Sequence, residues 1–346
     1  MKKLIIGILL LFLLAVPVSA QDYTAPEAPQ DAQVLLPADR DTFGEGLWYV
    51  IRSAFELLQP TLAASARTSL SVIATALLLS VLQGYSTGAA DAVRMAGVVC
   101  ISAILLRPAD TWIAAAADTV NQTSAYGKLL LPVLTAALAA QGGTTSSAAL
   151  YMATITFDAV LASVIASFLV PTVYVFLVLS VVQAAVGDTS IKRLRDLLKS
   201  LMTWLLKTML YAFTGYISIT GVVSGTTDQS IVKAAKLTIS SAVPVVGNIL
   251  SDASEAVLSG AGLVKNTVGI GGMLVVVAIT IVPFFQIGLQ YLLLKLTAAV
   301  CGLISHKTIA DLVEDFSGAM GLLLGMTGAV CAMFLISVVC FLKGMG

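Results

Sequence analysis

Long apolar runs separated by short polar stretches follow one another along the chain from Leu62 onward. A helix needs about 20 predominantly apolar residues to cross a bilayer, and several of these runs approach or exceed that length. The pattern therefore predicts an all-α, polytopic helical membrane protein with about seven to eight transmembrane spans. The spans are expected at residues 66–83, 93–107, 148–168, 171–187, 203–224, 272–304 and 318–342.

Two other stretches alternate apolar and charged residues with the period of a helix, which is typical of helices that lie in the headgroup region. Residues 191–202 carry mostly bases on their polar face, whereas residues 309–316 carry acids. Because a basic face belongs on the cytoplasmic side, we expect the first of these helices to dock partners there. The candidate partner-docking residues are Lys192, Arg193, Arg195 and Lys199.

Two pairs of prolines have the same spacing and similar surroundings. Pro132 and Pro171 are 39 residues apart, and so are Pro244 and Pro283. The same order of elements accompanies each pair: a proline-broken segment, a long apolar run, an interfacial helix and a closing span. We therefore predict an internal repeat with membrane units at residues 127–225 and 242–346.

The segments that open the two units, 127–141 and 242–258, start apolar around a proline and then become small and polar. Both are expected to be broken or re-entrant helices that the rest of the bundle shields from lipid. The alternative is a short span at 127–141 and an extracytoplasmic amphipathic helix at 242–258. The sequence leaves open whether the units are parallel or inverted, and the likeness of residues 79–83 to 179–183 suggests a fainter third copy.

The N-terminal residues have the features of a secretory signal, with two lysines, a short apolar stretch and a small-residue cleavage site. We expect a cleaved signal peptide at residues 1–20 and, in the following 21–46, an exposed acidic arm that makes contacts on the extracytoplasmic side. The alternative is an uncleaved N-terminal anchor. The remaining predicted regions are an N-terminal membrane region at 47–126 and an extracytoplasmic loop at 226–241.

The composition argues against a water-soluble globule, because 58% of the residues are apolar and only 11% are charged. Soluble domains carry about 25% charged residues. The zero net charge and the lack of basic clusters interleaved with aromatics give no sign of nucleic-acid binding. The four cysteines have no C-x-x-C spacing, and His306 is the only histidine. No enzyme motif occurs, so we expect no catalytic residue, no cofactor and no metal site.

Polar side chains inside apolar spans each cost a few kcal/mol unless they find a partner, so they are candidates for function. We expect Asp158 either to pair with a base such as Lys295 or to line an aqueous path. The candidate intramembrane polar path comprises Asp158, Gln286, Gln290 and Lys295. A further base, Lys207, is expected to reach the cytoplasmic interface with its long side chain.

Several segments resemble the stage III sporulation protein AE family of endospore-forming bacteria. The resemblance begins with the signal peptide and the acidic, proline-containing arm, and it extends over almost the whole mature chain. The segments that carry it are Phe43-Gly-Glu-Gly-Leu-Trp-Tyr, Gly187-Asp-Thr-Ser-Ile-Lys-Arg-Leu, Val243-Pro-Val-Val-Gly-Asn-Ile-Leu-Ser-Asp-Ala and Gln290-Tyr-Leu-Leu-Leu-Lys-Leu.

This resemblance implies a non-enzymatic, multi-pass protein in the mother-cell membrane around the forespore. The protein would be one component of a channel or secretion-like complex linking the two cells and needed for late forespore gene expression. The implied partners are other stage III A-series proteins, including a cytoplasmic ATPase and ring-forming proteins, with a forespore-side partner contacted indirectly. Membrane lipid is a further partner. The family offers no catalytic residues to transfer to this chain.

A second function remains open at this point, a stand-alone secondary transporter or small-molecule permease. The duplicated, proline-containing units and Asp158 support it, because many transporters are built from internal repeats with polar residues near the bilayer midplane. The small number of charged residues within the spans favours the complex component.

Overall fold

All secondary structure in the described part of the chain is helical, which confirms the predicted all-α class. The computed structural model describes residues 26–37, 43–85, 90–140, 144–219, 267–305 and 307–344. The helices are α1 (Gln30–Gln33), α2 (Phe43–Glu56), α3 (Gln59–Tyr85), α4 (Ala90–Ala140), α5 (Thr144–Val164), α6 (Val170–Val186), α7 (Thr189–Ile219), α8 (Thr267–Ile304) and α9 (Lys307–Gly344). The signal peptide, the loop at 226–241 and the segment 242–258 with Pro244 lie outside the described residues.

Five helices within these ranges are long and apolar enough to cross a membrane. They are formed by α3, α4, the joined α5 and α6, α8, and α9. The spans expected at 66–83, 272–304 and 318–342 each lie within one of these helices. By contrast, α4 has 51 residues and a length of about 75 Å, so it extends far beyond the roughly 30 Å hydrocarbon core.

The two spans expected at 148–168 and 171–187 form a single helical rod, which corrects that prediction. A π-helical turn at Ile165–Leu169 joins α5 directly to α6, and the backbone N–H of Val170 donates to the carbonyl of Ile165. Pro171 follows this turn immediately. Since proline cannot donate a hydrogen bond and crowds the carbonyl four residues earlier, the wider π turn lets the helix pass it without breaking.

The prediction of a proline-broken or re-entrant segment at 127–141 is wrong. Pro132 lies inside α4, which continues to Ala140, and Pro283 likewise lies inside α8. Each proline removes one backbone hydrogen bond, but a helix packed on several sides can keep its course through such a site. The amphipathic stretch at 191–202 and residues 203–219 of the adjoining predicted span are also one helix, α7.

The hairpin of α8 and α9 forms the centre of the bundle, and the other helices surround it. The membrane-length parts of α8 and α9 are mostly buried, whereas that of α3 is mostly exposed. Glycines let the helices approach closely around this hairpin. A Cβ added at Gly127 would lie 2.1 Å from the Phe334 ring, and one added at Gly272 would lie 2.7 Å from the Leu130 side chain.

Three helical hairpins in the described residues point the same way. In the first, Gly97 at the start of α4 packs on Leu79 near the end of α3. The second turns between α6 and α7 at Gly187, which has a positive φ of 77° that suits glycine. The third turns between α8 and α9 after Ile304.

Contacts between hairpins show that their turns lie at one end of the bundle. Arg94, early in α4, donates a hydrogen bond of 3.5 Å to the carbonyl of Ala184, near the end of α6. Arg195, early in α7, binds Asp315, early in α9. The two amphipathic stretches therefore lie side by side, as the parallel alternative predicts, while the internal repeat itself stays a prediction. We call this end of the bundle the turn end.

Part of the acidic arm packs against the bundle instead of extending freely, which corrects that expectation for residues 26–37. Ala32 and Leu35 are 1% and 3% exposed, and α1 contacts α8. Gly46 of α2 also packs against Leu274 of α8, whose side chain would lie 2.7 Å from an added Cβ. The N-terminal helices thus lie against the half of α8 that is remote from the turn end.

Candidate functional site

A buried ion pair connects two hairpins at the turn end. The Arg195 guanidinium of α7 donates to the Asp315 carboxylate of α9, and both side chains are only 9% exposed. The same guanidinium donates to the side-chain carbonyl of Gln183 at 3.1 Å and to the Asp196 carboxylate at 2.8 Å. Ser180 lies beside Asp315. The cluster therefore joins α6, α7 and α9.

The charge of this guanidinium is secured by its partners. Burial by itself lowers the pKa of Arg195, but hydrogen bonds to Asp196 and the negative charges of Asp315 and Asp196 raise this pKa above its ordinary value. Arg195 thus stays charged throughout the physiological pH range, and the cluster does not loosen by losing a proton from arginine.

Of the four predicted docking residues, one is buried within the bundle and three are exposed. Arg195 is buried inside the bundle, so its assignment to a partner-docking face is wrong. Lys192, Arg193 and Lys199 are exposed. The Lys199 ammonium lies against Gly318 of α9, at 2.9 Å from a Cβ placed there. Docking through the exposed bases stays a prediction.

A second ion pair strengthens the α8–α9 hairpin close to its turn. Lys295 of α8 binds Glu314 of α9, and both side chains are about half exposed. The Ser317 hydroxyl of α9 donates to the Tyr291 carbonyl of α8 at 3.1 Å. Lys295 is therefore not the partner of Asp158, contrary to the pairing considered from the sequence.

Asp158 is enclosed between helices and has a hydroxyl partner. It is 1% exposed, and the Ser124 hydroxyl of α4 donates to its Oδ2 atom at 2.7 Å. Its Oδ1 atom has no hydrogen-bond partner among the described residues. The positive charge of Lys128, one turn beyond Ser124, also attracts this carboxylate. Asp158 thus connects α4 to α5 near the end of the bundle that is remote from the turns.

The four residues of the predicted polar path contact different partners. Gln286 donates to the Thr61 hydroxyl at 3.1 Å, which links α8 to α3. Gln290 is 2% exposed, and its side-chain oxygen has no partner among the described residues. Asp158 lies on α5 and Lys295 pairs with α9. The structure therefore does not bring these four side chains together into one path.

Several residues that complete these sites were not singled out from the sequence. Ser180 and Gln183 lie one helical turn apart on α6, and this i, i+3 spacing is a signal that they face the same neighbour. Ser124 gives no comparable signal, because serine is common in helices of this composition. The described residues contain no group of three or more His, Cys, Asp or Glu side chains that could hold a metal ion.

Comparison with known proteins relates this fold to sporulation. A family model described as stage III sporulation protein AE matches residues 42–344. The stage III sporulation protein AE of Bacillus subtilis (strain 168) is 25% identical over 222 residues, which are 64% of this chain and 56% of that relative. The chain thus matches little more than half the length of this curated relative. No solved structure matches it. Because the family model spans every membrane-length helix of the bundle, the chain belongs to the stage III sporulation protein AE family.

Proposed function

We propose that this chain is a non-enzymatic, multi-pass component of a transenvelope channel or secretion-like complex that links the mother cell and the forespore. Its place is the mother-cell membrane around the forespore, and its activity is needed for late forespore gene expression. Its partners are other stage III A-series proteins, including a cytoplasmic ATPase and ring-forming proteins, with an indirect link to a forespore-side partner.

The observation that carries this proposal is the family match over residues 42–344, which covers the whole membrane bundle. Membership of a sporulation family gives the chain a role in sporulation. The structure supports a scaffold in particular, because the central hairpin is buried and the ion pairs at the turn end connect neighbouring helices. These contacts hold the helices in one arrangement.

A stand-alone permease is the second candidate, and the buried carboxylate of Asp158 is the observation in its favour. An ionisable residue within membrane helices marks a candidate proton or ion pathway. Against it, Asp158 lies apart from Gln286 and Lys295, and its Oδ2 atom is bound by Ser124. The parallel hairpins also differ from the inverted units that many alternating-access transporters use.

The two functions predict different behaviour of the full-length chain and of the Asp158→Asn variant. We expect the tagged wild-type chain, solubilised from membranes of sporulating cells, to co-purify with the secretion-type ATPase and ring-forming proteins. The substituted asparagine is nearly the same size as aspartate and can still accept a hydrogen bond from Ser124, so the variant should recover the same partners. Quantitative mass spectrometry of the purified complexes measures this.

The matched measurement is proton flux into vesicles that contain only the purified chain, followed with a pH-sensitive dye. The proposal predicts the same flux as in protein-free vesicles for wild type and Asp158→Asn. Recovery of the chain without partners, together with a proton flux that Asp158→Asn abolishes, would establish the permease instead.

A further inference from the structure

An apolar stripe runs along the outer surface of α7, close to the turn end. Leu194, Leu197, Leu201 and Trp204 are 49%, 59%, 37% and 60% exposed. Their spacing of three and four residues places them on one side of the helix. Four large apolar side chains at this spacing form a continuous exposed surface, which we call the α7 stripe.

Packing among the residues that the structure describes does not require the α7 stripe. The inward side of the same helix buries Arg195, Met202 and Leu206, which are 7%, 0% and 5% exposed. These residues are separated from the stripe by roughly half a turn, given about 100° of rotation per residue. The stripe therefore faces away from the bundle, towards whatever surrounds the protein.

Basic side chains lie at the end of the stripe nearest the turn. Arg193 is one helical turn before Leu197, and Lys192 precedes it. Both are exposed, and within the described ranges neither takes part in an ion pair. The neighbouring acid, Asp196, is bound by Arg195. This end of the stripe therefore presents two exposed basic side chains that no ion pair among the described residues engages.

The other helix of the same hairpin, α6, also has exposed apolar side chains. The turn at Gly187 places the stripe beside the final turns of α6, where Val175, Val178 and Val182 are also exposed. These valines belong to a helix long and apolar enough to cross the membrane. Both helices of this hairpin thus expose apolar side chains of the kind that contact acyl chains.

We propose that the α7 stripe is a binding site for an anionic phospholipid. Lys192 and Arg193 bind its phosphate at the membrane surface, and its acyl chains lie along Leu197, Leu201 and Trp204. The dimensions agree, since the helix rises about 16 Å from Arg193 to Trp204 and one leaflet of the hydrocarbon core is about 15 Å thick. A protein partner on the same surface is the competing occupant that the test separates from lipid.

The test uses Trp204 as the only tryptophan of the full-length chain, in a background with Trp48→Phe and Trp112→Phe. The protein is reconstituted in phosphatidylcholine vesicles that contain increasing amounts of brominated phosphatidylglycerol or, separately, brominated phosphatidylcholine. Bromine quenches only tryptophans in contact with the labelled lipid. We expect the phosphatidylglycerol to quench Trp204 fluorescence at a severalfold lower mole fraction than the phosphatidylcholine does.

Neutralising the bases tests their part in the site. A basic residue close to an anionic surface changes binding by about fivefold, so Lys192→Gln/Arg193→Gln should reduce the preference for phosphatidylglycerol by at least about that factor. The control Arg52→Gln/Arg107→Gln removes the same charge from exposed positions away from the stripe and should keep the preference. Equal quenching by both lipids, or a preference that survives Lys192→Gln/Arg193→Gln, would overturn the proposal. Quenching by neither lipid would also overturn it and would indicate that protein covers the stripe.

Discussion

Replacing Gly127 with alanine is expected to destabilise the bundle more than the same change at any other described glycine. The added Cβ would lie 2.1 Å from the Phe334 ring, which is fully buried in the core. A rigid ring between packed helices cannot move away without displacing its neighbours. Overpacking usually costs about 1–3 kcal/mol, and we expect the upper end of that range or more. Thermal unfolding of the detergent-solubilised protein measures the loss.

Two matched variants show whether the contact itself is the cause. Gly215→Ala, within α7, adds the same methyl group where no atom lies within 4 Å, so its unfolding temperature should be unchanged or higher. Replacing the ring with a smaller side chain, in Phe334→Leu, should restore part of the stability that Gly127→Ala loses. A Gly127→Ala protein as stable as wild type would contradict the close packing of α4 on α9.

Replacing Arg195 with alanine is expected to cause the second large loss, because it leaves the Asp315 carboxylate buried without its charged partner. Removing one member of a buried ion pair costs about 3–5 kcal/mol. The loss should appear as a lower unfolding temperature and as faster proteolysis near the turn between α6 and α7. Arg67→Ala is the control, since Arg67 of α3 is exposed, takes part in no ion pair among the described residues and should show no measurable change.

The double variant Arg195→Met/Asp315→Leu separates the ion pair from general packing. Replacing both charges with apolar side chains removes the desolvation cost of the two ions, and such exchanges are often neutral or stabilising. We expect the double variant to be clearly more stable than Arg195→Ala. If the double variant and Arg195→Ala are equally unstable, then Arg195 acts through its volume, and the ion pair does not hold the hairpins together.

Hydrophobic periodicity was sufficient to predict the helical class and the positions of the longest apolar helices. Apolar runs such as 272–304 and 318–342 predict helices, because the backbone N–H and C=O groups of a membrane span must form hydrogen bonds within the segment. Proline positions were less informative. Pro132 and Pro171 look alike in sequence, yet one lies in an uninterrupted helix and the other follows a π turn, and that difference depends on tertiary packing.

The polar sites could be predicted only in part, because a helical wheel shows which face a residue occupies but not which helix it meets. The opposite charges of 191–202 and 309–316 were visible, and they do attract each other in the structure. The wheel placed Arg195 on an exposed basic face, whereas it is buried because Asp315 and Gln183 come from other helices. Asp158 was recognised as costly to bury, but its partner Ser124 lies 34 residues away.

The three hairpins point the same way, so that their turns are expected to emerge on one side of the membrane. Single cysteines at Ala92, Thr189 and Lys307, in a chain whose four native cysteines are replaced, place one label site at each turn. If the N-terminus is extracytoplasmic, as the signal-like sequence predicts, a membrane-impermeant maleimide should label all three sites from the cytoplasmic face. Labelling of one site from the face opposite to the other two would contradict the parallel arrangement.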